Sequence, residues 1–247
     1  MLLTKNVIIN QYTRVLESRV LINSVNLYKM EEDKQRLFTI DEQQLLEEIL
    51  LHRRDVRGNR FIKKSLSKNS IDAILQAGLS APSVGFSQPW EFVLIADQET
   101  KRKIKAAFSE ETRKAALVFC DKKQQEYIKL KLEGIIEAPL NIAVFYKPKN
   151  EPVLGQTSMP EMGKYSVVCA IQNMWLMARS LNIGLGWVSI LDPDKVKRVL
   201  NAPKENELIG YLCLGYTDMF YNKPELELKK WEQKKLQEEV VINEKYR

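Results

Sequence analysis

Residues 164–193, KYSVVCAIQNMWLMARSLNIGLGWVSILDP, hold the pattern that decides the fold. Val167, Val168, Cys169, Ala170, Ile171, Met174, Trp175, Leu176, Met177 and Ala178 fall on nearly every side of a helix drawn over 164–181. A helix that is apolar all round belongs in an interior, since water meets none of its faces favourably. Asn182 and Gly184 end it, being residue types that leave a helix at little cost. Gly186-Trp187-Val188-Ser189-Ile190-Leu191 then reads as a strand, and Asp192-Pro193 as the cap and first-turn pair that opens the next helix. The sequence therefore predicts a buried helix feeding a buried strand.

Working outward, Phe92-Val93-Leu94-Ile95-Ala96 and Leu140 to Tyr146 are short apolar runs of strand length, and a last strand spans about Leu208 to Tyr216. Two charged segments between the first two strands read as helices. Leu45, Leu46, Ile49 and Leu50 give helical spacing from Ile40 to Leu51. A second helix starts at a cap on Asn69 or Ser70, carries Ile71, Ile74 and Leu75 on its apolar face, and ends near Gly78. Four short strands among longer helices give an α+β or three-layered α/β class, with a mainly antiparallel or mixed central sheet flanked by helices. The helices outnumber what one small sheet can cover, which points to a helical dimer interface. From Pro224 onward charges alternate around Leu226, Leu228, Trp231 and Leu236, fitting either a solvated helix or an arm laid on a partner subunit.

A length of 247 residues with 45% hydrophobic composition suits one sizeable domain, taken as 40–247, after an N-terminal extension over 1–39. Within residues 1–30, Lys5, Arg14, Arg19 and Lys29 face one acid, Glu17, a bias shared with organellar presequences; a plain extension, or a start at Met30, is the simpler reading. The formal net charge of +6 is spread along the chain and reads as a solvated surface rather than a nucleic-acid footprint. Cys120, Cys169 and Cys213 lack metal or redox spacing and read as buried thiols in a reducing compartment. His52 is the sole histidine, which leaves little for a zinc site or a Ser-His-Asp triad, so no metal is expected. With no run of membrane-spanning length and no secretory signal pattern, the expected location is the cytoplasm, away from membranes.

Arg53, Arg54 and Arg57 follow the first helix within one short segment. Planar guanidinium forks bind phosphate bidentately, so the cluster is a candidate phosphate clamp; a solvated basic run is the bland alternative. Asp55 among them is either their charge partner or an acid set beside whatever they hold. The chain has neither G-x-G-x-x-G after a strand nor G-x-x-x-x-G-K-[ST], so a bound phosphate is held by side chains. Ser83 and Ser87 lie in a turn-rich loop able to meet a polar ring, and Trp90 reads as core.

Arg53-Arg54-Asp55-Val56-Arg57, Pro82-Ser83-Val84-Gly85-Phe86-Ser87-Gln88-Pro89-Trp90 and Gly184-Leu185-Gly186-Trp187 resemble, in order and spacing, three blocks of the FMN-binding nitroreductase superfamily. Their wording, with Leu130-Lys131-Leu132-Glu133-Gly134-Ile135 and Met159-Pro160-Glu161-Met162 before Tyr165-Ser166, is similar to the BluB branch, the 5,6-dimethylbenzimidazole synthases. The resemblance covers about residues 40–232 and implies a homodimer with a nitroreductase-like fold. It implies oxygen-dependent fragmentation of reduced FMN, taken as substrate with dioxygen, to 5,6-dimethylbenzimidazole and D-erythrose 4-phosphate, the former for the lower ligand of cobalamin, with a separate flavin reductase as electron source. Carried over by matching motif, Arg53, Arg54 and Arg57 hold the phosphate and ribityl region beside Asp55 and Val56, Ser83 contacts the flavin from its loop, and Leu130 or its neighbour Lys131 lies along the flavin edge. Ile190 flanks the ring, Asp55 is the general acid/base, Ser189 is a hydrogen-bonding partner near the reacting flavin atoms, and 159–166 forms a lid. Gly58-Asn59 departs from the branch's pattern and touches the loop near the phosphate. Two alternatives stay open: a conventional NAD(P)H nitro- or quinone reductase, and a non-catalytic flavin-binding protein.

Overall fold

The computed structural model describes residues 36–246, so the basic bias and most of the extension read at 1–39 lie outside it. Contacts divide the chain into two units, Met1–Leu46 and Glu47–Arg247. The boundary falls inside the first helix, α1 (Ile40–His52), which opens on a reciprocal cap: Thr39 N donates to Glu42 Oε2 at 2.9 Å and Glu42 N to Thr39 Oγ1 at 3.3 Å.

In the second unit, α2 (Lys68–Leu79) is capped by Ser67, two residues before Asn69 and three before Ser70, the expected caps, because Ser67 is the extended residue whose hydroxyl accepts from Ser70 N. Strands β1 (Trp90–Ile95), β2 (Leu140–Tyr146), β3 (Ile183–Val188) and β4 (Glu207–Tyr216) form one sheet in the order β1-β2-β4-β3. All three pairings are antiparallel, which settles the class as α+β. Helices α3 (Gln98–Ala116), α4 (Asp121–Lys129), α5 (Met162–Ser180) and α6 (Pro193–Leu200) complete the frame, and the tail holds only single turns, α7 (Glu225–Leu228) and α8 (Gln237–Val240).

The period-two alternation of the strands supplies two cores. Ile142, Val144, Leu212 and Leu214 face α2 and α5, meeting Ile74, Ala170, Ile171 and Met174. Ala143, Phe145, Tyr211 and Cys213 face the other way, toward Ile104 and Phe108 of α3 and Val196 of α6. Each fully buried Ile, Leu or Met contributes about 1.5–3 kcal/mol relative to exposure, so the central pair β2 and β4 anchors the domain.

Three expectations need correction. Helix α5 is not buried all round: Tyr165 and Val168 are 52% and 39% exposed, because the sheet and α2 cover only part of its circumference. Of the three free cysteines only Cys213 is buried, while Cys120 and Cys169 are exposed on the chain. Strand β3 stops at Val188, where its pairing with Tyr211 ends, because Asp192 caps α6 through the backbone amides of Asp194 and Lys195; Ser189 and Ile190 thus lie on the connector.

Candidate functional site

The arginine segment is fixed at the free edge of the sheet. Val56 N donates to Leu185 O at 3.1 Å, and Asp55 forms an isolated parallel bridge with Leu185. So close a crossing requires glycine beneath it. A Cβ at position 186 would lie 2.2 Å from Val56 O, and one at 184 would meet the Val56 methyls at 2.9 Å. The Gly184-Leu185-Gly186 pattern therefore clears the path of the Asp55-Val56 backbone.

The three arginines differ in what their guanidinium groups do. Arg54 donates to Leu51 O, Arg53 O and Asn222 O at 2.6–2.7 Å, so its terminal nitrogens are occupied by backbone carbonyls. Arg57 donates to Leu132 O at 2.6 Å and pairs with Asp55. Arg53 stacks over Trp175 at 4.5 Å, and among the described residues its guanidinium makes no hydrogen bond or ion pair. The donor set best free to meet an anion is thus Arg53, with Arg57 beside it.

These side chains line a cavity of about 140 Å³ with Asp55, Leu130, Lys131, Leu132, Pro224, Glu225, Leu226 and Lys229. Its lining, three arginines and two lysines among apolar side chains, suits an organic anion. The four tail residues were missed by sequence reasoning. Their alternating charges looked like a solvated surface, and nothing in local spacing tells that Asn222, 168 residues from Arg54, brings the tail to this cavity.

Asp55 accepts from Trp187 N at 3.1 Å on one oxygen and meets Arg57 on the other. Burial pushes its carboxyl above the ordinary aspartate range; Arg57, the Trp187 amide and Arg53 oppose that shift, and Glu225 adds to it. The result is a carboxyl able to hold or release a proton inside a cationic pocket.

Of the other expected contacts, Leu130 lines the cavity, and Val56 sits in the crossing as buried backbone. Ser189 is exposed at the end of β3, two residues beyond the amide that binds Asp55, and Ile190 packs half-buried against the α3 and α6 core. Neither they nor Ser83 line the cavity. Ser83 accepts from Gln88 N at 3.0 Å, and Val84 N donates to Ser166 Oγ near the start of α5. The arginine loop instead meets α5 at Trp175, whose Nε1 donates to Arg54 O, about 13 Å further along at the helical rise. Met162–Ser166 is the packed first turn of α5, so only Met159–Glu161 of the expected lid is loop. Among the described residues no cluster of three His, Cys, Asp or Glu is placed to hold a metal ion, and no helix is long and apolar enough to cross a membrane.

Comparison with known proteins identifies the family. A model described as the nitroreductase family matches residues 50–216. The chain is 39% identical to a 5,6-dimethylbenzimidazole synthase of Rhodospirillum rubrum over 192 residues, covering 77% of this chain and 90% of the relative. It is 35% identical to a protein of the same name from Rhodobacter capsulatus, covering 76% and 91%. Among solved structures, a BluB-like flavoprotein from Clostridium difficile superposes with a TM-score of 0.62 at 22% identity, covering 81% of this chain and 99% of the other. An oxidised iodotyrosine deiodinase bound to FMN and 3-iodo-L-tyrosine gives 0.65 at 21%, covering 81% and 100%. At such identities the superpositions speak for the fold alone.

Proposed function

The chain belongs to the nitroreductase family, and from that premise we propose that it is a 5,6-dimethylbenzimidazole synthase, an oxidoreductase that uses dioxygen to fragment reduced FMN into 5,6-dimethylbenzimidazole and D-erythrose 4-phosphate for the lower ligand of cobalamin. The structural observation that carries the reading is Asp55, a carboxyl fixed by Trp187 N and Arg57 within an arginine-lined cavity. The FMN phosphate fits the chemistry of the donor set, because Arg53 presents a guanidinium with no partner among the described residues.

Reduced FMN supplies the electrons and the carbon skeleton, and arrives reduced by a separate flavin reductase. Arg53 and Arg57 hold its phosphate end, with Leu130 along the edge; Arg54 sets the loop by tying it to Leu51 and Asn222. Asp55 moves protons as general acid/base. Ser189 contributes its hydroxyl and Ile190 its backbone N–H toward the ring. Ser83 reaches the flavin from a second copy of the chain in a homodimer, a reading supported by its place at the Ser166 end of α5, away from the arginine cavity. The protein works in the cytoplasm, which its three free cysteines favour.

The test is aerobic incubation of the purified protein with FMN, NADH and a separate flavin reductase, with chromatographic detection of 5,6-dimethylbenzimidazole. Wild-type protein is expected to form product, and Asp55→Asn to form it roughly a hundredfold more slowly or worse, the usual scale for loss of a general acid/base. FMN that survives intact with wild type returns the chain to the reductase or flavin-binding readings, which NADH oxidation by retained FMN would separate.

A further inference from the structure

We infer that Glu133 is a positioning residue for Asp55, acting through the Leu132-Glu133 peptide on which Arg57 is braced. The inference rests on the proposed role of Asp55 in proton transfer. Glu133 is 2% exposed and outside the cavity lining, yet it carries a carboxylate. A buried carboxylate persists where it is bonded on both oxygens. Here Oε1 accepts from Lys105 Nζ at 2.6 Å and lies 3.3 Å from Lys131 Nζ, while Oε2 accepts from Ile135 N at 2.8 Å.

What these bonds hold still is a strip of backbone that grips the arginine loop twice. Glu133 O accepts from Gly58 N at 2.8 Å, and Leu132 O accepts from Arg57 Nη1 at 2.6 Å. The two strips lie so close that a Cβ on Gly58 would meet the Glu137 carboxyl at 2.7 Å, and one on Gly134 would meet the Phe61 ring at 2.5 Å. Arg57 is a rigid planar fork with one prong on Leu132 O and the other on Asp55, so the position of that carbonyl sets the angle at which the guanidinium meets the carboxylate. Loosening the strip loosens the Arg57–Asp55 pair.

The groups facing Asp55 are Arg57, Arg53, Glu225 and the Trp187 amide; Glu133 is not among them, so its effect passes through Arg57. The decisive readout is the titration of the Asp55 carboxyl in flavin-free protein, followed by carbon NMR and assigned by its absence in Asp55→Asn. In Glu133→Gln the midpoint is expected to rise by about one pH unit, as a carboxyl does on losing part of a cationic partner. FMN affinity, read by flavin fluorescence, stays within about threefold. Product turnover falls about tenfold in the wild-type background and no further in the Asp55→Asn background, the signature of two residues acting as one unit. An unmoved midpoint, or turnover that falls equally in both backgrounds, overturns the inference and leaves Glu133 a folding residue. Should Glu133→Gln fail to fold, Lys105→Gln, which removes the 2.6 Å partner from a part-exposed helix position, is judged by the same midpoint and the same double-variant comparison. A wild-type chain that makes no product sinks the synthase reading, while the NMR midpoint still decides whether Glu133 positions Asp55.

Discussion

Asp55 sits between two arginines, and yet burial outweighs them in setting its proton affinity. Because its folded-state affinity for the proton is raised above the unfolded value, the fold favours the protonated form. Stability is then highest below the unfolded aspartate range, near pH 3.9, and declines as pH rises from there through the raised folded value. Asp55→Asn removes that decline. Thermal unfolding of flavin-free protein is expected to show the two proteins converging in strong acid and the variant melting higher at neutral pH; a wild type more stable than the variant at pH 7 contradicts the direction of the shift. At this scale sequence reasoning named Arg53, Arg54, Asp55, Arg57 and Leu130, which the structure brings around one cavity. It could not rank them, because the partners that occupy Arg54 and brace Arg57, Asn222 and Leu132, lie 168 and 75 residues away.

The crossing of the arginine segment over β3 is an element-scale device, and Gly186 is its tightest point. Gly186→Ala drives a methyl group to 2.2 Å from Val56 O, a backbone atom held by a neighbouring ladder bond, so the loop must lift from the strand edge. Urea unfolding should show a loss of about 1–3 kcal/mol or more, as overpacking of a fixed site does, accompanied by weakened FMN binding. Gly184→Ala meets the Val56 side chain at 2.9–3.0 Å, a milder approach than 2.2 Å to a backbone oxygen, and is expected to cost less; equal losses at both positions would deny the backbone crossing its role. The strands were legible where burial on both faces wrote an unbroken apolar run, and β2 matches its predicted bounds. The end of β3 was not, since Ile190 and Leu191 resume the apolar pattern after pairing has already stopped. Helix α5 misled in a similar way: an apolar residue on the sheet side and one on the exposed side, Ile171 and Val168, look alike until the neighbours are known.

At the scale of the whole molecule the question is whether a second copy of the chain completes the site, as the proposed homodimer requires. One protomer gathers Arg53, Asp55, Arg57 and Leu130 around a cavity that Ser83 does not line. Sequence reasoning assigned all of them to one flavin site, and motif order carries no information about which copy of a chain each block serves. If Ser83 serves a partner's flavin, two differently broken copies repair each other. A dimer of an Asp55→Asn chain with a Ser83→Leu chain has one site broken twice and one intact, the latter drawing Asp55 from one copy and Ser83 from the other. Each variant alone is expected to be nearly inactive, and an equimolar mixture, dissociated and reassembled, to recover about a quarter of wild-type product formation per chain, since random pairing makes half the dimers mixed and each mixed dimer has one working site. Sedimentation of the wild type should give a dimer. If Ser83 acts within its own chain, every site in the mixture carries one lesion and no activity returns.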